Sequence, residues 1–135
     1  MTRIVIIGGG PAGYEAALVA AQLGAQVTVI ERDGIGGASV LTDCVPSKTL
    51  IAAAGTMTTV RDSAVLGLQG AELATVSLDL ASVNHRVKGL AVAQSADIHT
   101  RLTGEGVRIL SGQGRLSDEI RGLAAHRVEV LDDDG

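Results

Sequence analysis

Ile4-Val5-Ile6-Ile7-Gly8-Gly9-Gly10-Pro11-Ala12-Gly13 decides the fold of this chain. Four aliphatic residues in succession, with nothing polar between them, read as a strand buried on both faces of a parallel sheet. Glycines follow at once. Tyr14 to Leu23 then has high helix propensity and ends at a C-cap glycine, Gly24. Val27-Thr28-Val29-Ile30-Glu31 reads as a second short strand of β-branched residues. The result is a βαβ unit whose right-handed crossover lays the second strand parallel to and beside the first.

Gly8, Gly10 and Gly13 have the Gly-x-Gly-x-x-Gly spacing, and an acidic residue, Glu31, closes the next strand 18 positions after Gly13. Gly8 allows the tight turn, Gly10 lets backbone approach a pyrophosphate, and Gly13 permits close helix–strand packing. The helix N-terminus offers free N–H groups and partial positive charge to the diphosphate. Glu31 is placed to accept hydrogen bonds from an adenosine ribose, and its charge would repel a 2′-phosphate, so NADP is not expected in this pocket. The same pattern also serves as a glycine-rich turn without a ligand. Spacing alone leaves FAD and NAD equally open.

Further along, residues 32–45 read as a glycine-rich loop, and Pro46 suits the first turn of a helix running to about Leu66. Gly67 to Ser77 is weakly patterned. Leu80, Val83, Val87, Leu90, Ile98 and Leu102 then recur at helical spacing along a second long helix that ends near Gly104. Val107 to Leu110 reads as a third parallel strand continuing through Gly112 and Gly114, and His126 to Leu131 as another strand. The turn residues Asp132-Asp133-Asp134-Gly135 announce a hairpin partner for that last strand. The chain is therefore expected to be the N-terminal part of a longer protein.

A length of 135 residues bounds the chain at one domain, and 46% hydrophobic with 19% charged residues is a globular composition. Tyr14 is the only aromatic residue, so stacking of nucleic-acid bases has almost nothing to work with. The net charge of −4 also argues against a nucleic-acid partner. One cysteine cannot form an intramolecular disulfide, so no oxidising compartment is needed and a cytoplasmic location is expected. Only Ile4 to Ile7 precede the glycines, too short for a signal-peptide core, and no run approaches the roughly 18 apolar residues of a membrane span. His85, His99 and His126 lack metal-ligand spacing, the three aspartates read as a solvated turn, and no metal is expected. Ser39 lacks the Gly-x-Ser-x-Gly elbow of a hydrolase.

Gly36-Gly37-Ala38-Ser39-Val40-Leu41-Thr42-Asp43-Cys44-Val45-Pro46-Ser47-Lys48 resembles the redox-active dithiol motif of the flavoprotein disulfide reductases, such as dihydrolipoamide dehydrogenase. In that pattern two cysteines stand five positions apart, after Gly-Gly and before Pro-Ser-Lys. Here the first place holds Ser39 and the second Cys44. The resemblance covers essentially all 135 residues and decides for FAD. It implies an α/β, Rossmann-like FAD-binding domain over residues 1–135, with a parallel sheet, two long helices after the flavin loop and the start of a β-hairpin, incomplete at the C-terminus. It also implies NAD(P)-binding and dimerisation domains beyond this chain, and a homodimer at full length.

On the same resemblance, Gly36 and Gly37 would bring backbone against the FAD diphosphate, with Ala38 and Ser39 continuing along the cofactor. Lys48 would reach the flavin N5 region, where a cation stabilises charge on the reduced ring. Gly114 would contact the adenine end. Cys44, at the start of the predicted helix where the macrodipole favours an anion, would pack against the flavin. The alternative readings are an inert buried cysteine at Cys44 and an exposed helix-start lysine at Lys48.

Ser39 cannot form a disulfide with Cys44, so electrons taken from NAD(P)H would leave the flavin directly. That resembles the branch of lipoamide-dehydrogenase-like proteins that act as NAD(P)H quinone reductases. It implies hydride transfer from NAD(P)H, bound by a domain outside this chain, to FAD and on to a quinone or other small acceptor. Soluble transhydrogenases keep the first cysteine and lose the second, the reverse of this chain. A disulfide reductase using a thiol from elsewhere, and a noncatalytic dinucleotide-binding module, remain as alternatives. The fragment alone is expected to be inactive.

Overall fold

β2 (Gln26–Glu31) lies at the centre of a three-stranded parallel sheet, with β1 (Arg3–Ile7) on one side and β3 (Arg108–Ser111) on the other. The register pairs Ile7 with Ile30 and Glu31 with Ser111. In this computed structural model residues 1–68, 70, 75–118 and 126–131 are described. α1 (Pro11–Gln22) connects β1 to β2 and ends as expected at Gly24, where the N–H of Gly24 bonds the Ala21 carbonyl and that of Ala25 the Ala20 carbonyl. The parallel βαβ unit is as the sequence predicts.

Two long helices follow the glycine-rich segment, as expected. α3 (Cys44–Asp62) begins two residues before Pro46 and gives way to a 3₁₀ turn at Ser63–Leu66. Pro46 sits in the first turn all the same, where an N–H has no intrahelical partner to lose. α4 (Leu80–Gly104) is capped by Asp79, whose carboxylate accepts the Ala81 N–H at 2.9 Å. The span 32–45 is not all loop. Gly37–Leu41 forms a short helix, α2, whose Val40 is buried.

The core is aliphatic and sits on one face of the sheet. Ala17 and Leu18 of α1 and Ile98 and Leu102 of α4 pack with Val27 and Val29 of β2, and with Ile35, Val40 and Val107. The buried stripe of α4 is Val87, Ala91, Ile98 and Leu102. Leu80 and Leu90, expected in that stripe, are exposed because that half of α4 lies against α3 rather than the sheet. α3 itself buries no side chain. Nor is β1 covered on both faces: Ile6 packs on the helix side, whereas Val5 and Ile7, on the opposite face, are about half exposed at 46% and 47%.

At Gly112 (φ +134°) the chain turns away from the sheet. The third strand therefore stops at Ser111, and β4 (Gln113–Leu116) starts a separate antiparallel pair with β5 (Val128–Leu131). β5 thus has a partner upstream, Gly114 facing Val130. The turn at Asp132 to Gly135 lies outside the described residues. Gly114 sits so close to the sheet that a Cβ there would come within 3.1–3.2 Å of the Ile7 and Ile30 side chains. Those two residues occupy the face opposite the helices, so β4 lies across the second face at the carboxyl ends of β1 and β2.

Candidate functional site

Two glycine loops meet at the carboxyl ends of β1 and β2. The first is Gly8 to Gly10, entering α1, and the second is Gly34 to Gly37, entering α2. The N–H of Gly36 donates to the carbonyl of Gly9 at 2.8 Å. A Cβ on Gly37 would stand 3.0 Å from the Cα of Gly10, and one on Gly13 would overlap the carbonyl oxygen of Gly8. Both positions therefore exclude larger residues by backbone contact. A Cβ on Gly10, in contrast, would meet nothing within 4 Å. Gly10 faces open space beside the N-terminus of α1, which no side chain caps and no acidic residue in the first turn offsets.

Glu31, last residue of β2, ties this junction to the strand ends. Its Oε2 accepts the Gly9 N–H at 2.6 Å and its Oε1 the Asp33 N–H at 2.8 Å. A carboxylate offers roughly four acceptor positions, so capacity remains after both backbone bonds. Glu31 lines a cleft of about 260 Å³ with Gly8, Arg32, Asp33, Gly112 and Gly114. The Glu31–Ser111 register and the bond from the Gly112 N–H to the Glu31 carbonyl at 3.1 Å hold the glycines after β3 beside it. Arg32 grips Asp33 through Nε and a terminal nitrogen at 3.0 and 2.9 Å, and that guanidinium holds the Asp33 carboxyl below its ordinary range.

The structure thus gathers Gly8, Gly10, Gly13, Glu31, Gly36 and Gly37, and places Gly114 in the Glu31 cleft. Ala38 and half-buried Ser39 continue from the second loop on α2. Cys44 is exposed and opens α3, on the helix after the one that carries Ser39. Lys48 is exposed and lines a different groove of about 480 Å³ between α3 and α4, with Thr49, Thr56, Val83, Arg86 and Leu90. That groove shares no lining residue with the Glu31 cleft. Among the described residues no three His, Cys, Asp or Glu side chains group where they could hold a metal ion.

Three residues of the junction are not singled out by the sequence. Gly9 donates to Glu31, and a Cβ there would come within 2.8 Å of Ile35 Cδ1. Ile35 is buried under the junction, and Ser95 of α4 donates its hydroxyl to the Ile35 carbonyl at 2.5 Å. The glycine between the two fingerprint positions is a signal for Gly9. Ser95, 60 positions from its partner, has none.

The model of the pyridine nucleotide-disulphide oxidoreductase family matches residues 2–128. The chain belongs to this family. Among curated members, the NAD(P)H dehydrogenase (quinone) of Mycobacterium tuberculosis strain H37Rv is 52% identical over all of this chain and 28% of its own length. A dihydrolipoyl dehydrogenase of Geobacillus stearothermophilus is 31% identical over 98% of this chain and 26% of its own length. The crystal structure of LpdA from Mycobacterium tuberculosis superposes with a TM-score of 0.88 at 52% identity, over all of this chain and 28% of that one. The chain spans little more than a quarter of the length of these family members.

Proposed function

We propose that these residues form the FAD-binding part of an NAD(P)H:acceptor oxidoreductase of the quinone-reductase type. The observation that carries the reading is the junction of the two glycine loops over Glu31, in a chain whose single cysteine has Ser39 at the place of its redox partner. The pyridine nucleotide-disulphide oxidoreductases and the dihydrolipoyl dehydrogenases among them bind FAD and use NAD(P)H. The junction fits that cofactor, because Gly13 and Gly37 let the two loops close by backbone contact, while Gly10 leaves open beside the α1 N-terminus the space a diphosphate needs.

Backbone at Gly8, Gly10, Gly13, Gly36 and Gly37 would hold the diphosphate, Glu31 the ribose hydroxyls, and Gly114 the adenine end. Ala38 and Ser39 would follow the cofactor along α2. FAD, when bound, supplies the ring that takes a hydride from NAD(P)H and returns electrons to an acceptor. Cys44 would tune that ring, and Lys48 would supply positive charge to it; both assignments rest on their places in the motif. With Ser39 unable to form a disulfide, the acceptor meets the flavin directly, and a quinone is the acceptor proposed. The NAD(P)H site lies outside these residues, and the working protein is a cytoplasmic homodimer. No helix among the described residues is long and apolar enough to cross a membrane.

The test uses the full-length protein that carries this segment. It is expected to purify yellow, to bleach with NADH under anaerobic conditions and to regain its colour on adding a benzoquinone. A colourless protein that binds no FAD would overturn the reading. So would a cysteine pair that cycles with turnover, which would restore a disulfide reductase.

A further inference from the structure

We propose that Ser95 is a positioning residue for the dinucleotide diphosphate, acting through the Ile35–Gly36 peptide; the inference rests on the FAD reading above. The carbonyl of Ile35 and the N–H of Gly36 belong to one peptide unit, and the structure fixes both ends of it. Ser95 donates to the Ile35 oxygen at 2.5 Å, and the Gly36 N–H donates to the Gly9 oxygen at 2.8 Å.

That peptide is one that needs fixing. It ends on Gly36 (φ +100°), with Gly34 (φ +123°) before it and Gly37 (φ +58°) after it, so rotation on its Gly36 side meets little steric resistance. Turning the Ile35–Gly36 peptide would break both hydrogen bonds at once. It would also release Gly9 from Gly36 and so loosen the start of α2, where Gly37 stands against Gly10. Ile35 supplies the third restraint, since its side chain is 5% exposed and rests against Gly9.

Ser95 behaves unlike other hydroxyls of α4. Thr100 bonds the Ala96 carbonyl and Thr103 the His99 carbonyl, four residues back in the same helix. Ser95 instead reaches a segment 60 positions away. A part-buried carbonyl that loses its donor costs more than the bond itself returns, and the glycine at position 36 offers the carbonyl an escape by rotation. The consequence is selective: the defect falls on the diphosphate, while the ribose on Glu31 and the adenine end beside Gly114 keep their places.

The experiment measures binding of FAD, ADP and adenosine to the deflavinated full-length protein by calorimetry. Ser95→Ala and the nearly isosteric Ser95→Cys, a weak donor, are compared with Thr100→Ala, which removes a hydroxyl that bonds only within the helix. Both Ser95 variants are expected to bind FAD and ADP roughly three- to tenfold more weakly, as one hydrogen bond implies, and adenosine within about twofold of wild type. Thr100→Ala is expected to match wild type for all three. Equal weakening of adenosine would make Ser95 a general structural residue and overturn the proposal, as would unchanged ADP affinity in a Ser95→Cys variant that melts like wild type. Wild-type protein that binds neither FAD nor ADP would remove the FAD reading itself, a result distinct from either.

Discussion

Glu31 Oε2 accepts the backbone N–H of Gly9 at 2.6 Å, so the residue proposed to hold the ribose also braces the glycine turn proposed to hold the diphosphate. The same carboxylate takes the Asp33 N–H at 2.8 Å on its other oxygen. On the proposed reading, stability of the junction and affinity for the nucleotide are thereby linked in one side chain. Glu31 bridges the Gly9 and Asp33 N–H groups, one on each carboxylate oxygen, and the two bonds together fix its orientation.

That linkage predicts a double effect for Glu31→Gln. An amide keeps one acceptor oxygen but turns an NH₂ toward a backbone donor, so one of the two N–H groups loses its partner. The variant is expected to lose about 1–3 kcal/mol of stability, the range for leaving one partner of a part-buried bond unsatisfied, seen as a lower urea midpoint. Its FAD affinity should fall at the same time. Full stability with unchanged affinity would show that neither bond matters.

Gly10 and Gly13 separate space kept for a ligand from space needed by the fold. A Cβ at position 13 meets the Gly8 carbonyl, which is backbone and cannot move without shifting α1 from β1. Gly13→Ala is therefore expected to cost at least about 2 kcal/mol, as overpacking against a rigid neighbour does. A Cβ at position 10 meets nothing within 4 Å, and its φ of −69° is open to any residue. Gly10→Ala should thus melt like wild type yet bind FAD much more weakly. If Gly10→Ala binds FAD normally, the diphosphate does not approach this turn.

The aliphatic run at Ile4–Ile7, the glycine spacing and the β-branched second strand made the βαβ unit legible, because each is set by neighbours within a few residues. The two long helices were legible for the same reason. α2 was not, since Gly36 and Gly37 argue against a helix and the burial of Val40 against the core is a tertiary contact. Partial exposure of Val5 and Ile7 was equally hidden: aliphatic composition says that a strand can be covered, not how many neighbours it has. At the site, the fingerprint gave Gly8, Gly10, Gly13 and Glu31 their positions, and the register of β3 on β2 accounts for Gly114. Ser95 and Ile35 escaped because their bond depends on how α4 crosses the core.

Ser39 and Cys44 allow the two electron routes to be told apart. If electrons leave the flavin directly, Cys44→Ser in the full-length protein should alter the flavin absorption spectrum and keep quinone reduction within about tenfold of wild type, a change of about 1.4 kcal/mol in barrier. A relay through Cys44 and a distant thiol predicts instead a loss of several orders of magnitude. Stopped-flow measurement of flavin reoxidation by benzoquinone distinguishes them. Loss of reoxidation with normal reduction by NADH would contradict the direct route.

Asp79 caps the helix that carries Ser95, and its effect depends on pH. The Ser82 hydroxyl, then the Ser82 and Ala81 N–H groups, hold its carboxyl below the ordinary aspartate range. A carboxyl with a depressed folded-state pKa stabilises the fold at pH above its unfolded value, and that contribution fades as pH falls through the folded value. Asp79→Ala should therefore melt below wild type at neutral pH, with the gap closing as acid passes beneath the ordinary aspartate range. Thermal melts of both proteins from neutral pH downward give the comparison, restricted to conditions where both still fold cooperatively. A gap that stays constant across that window would mean the cap acts through chain geometry rather than through its charge.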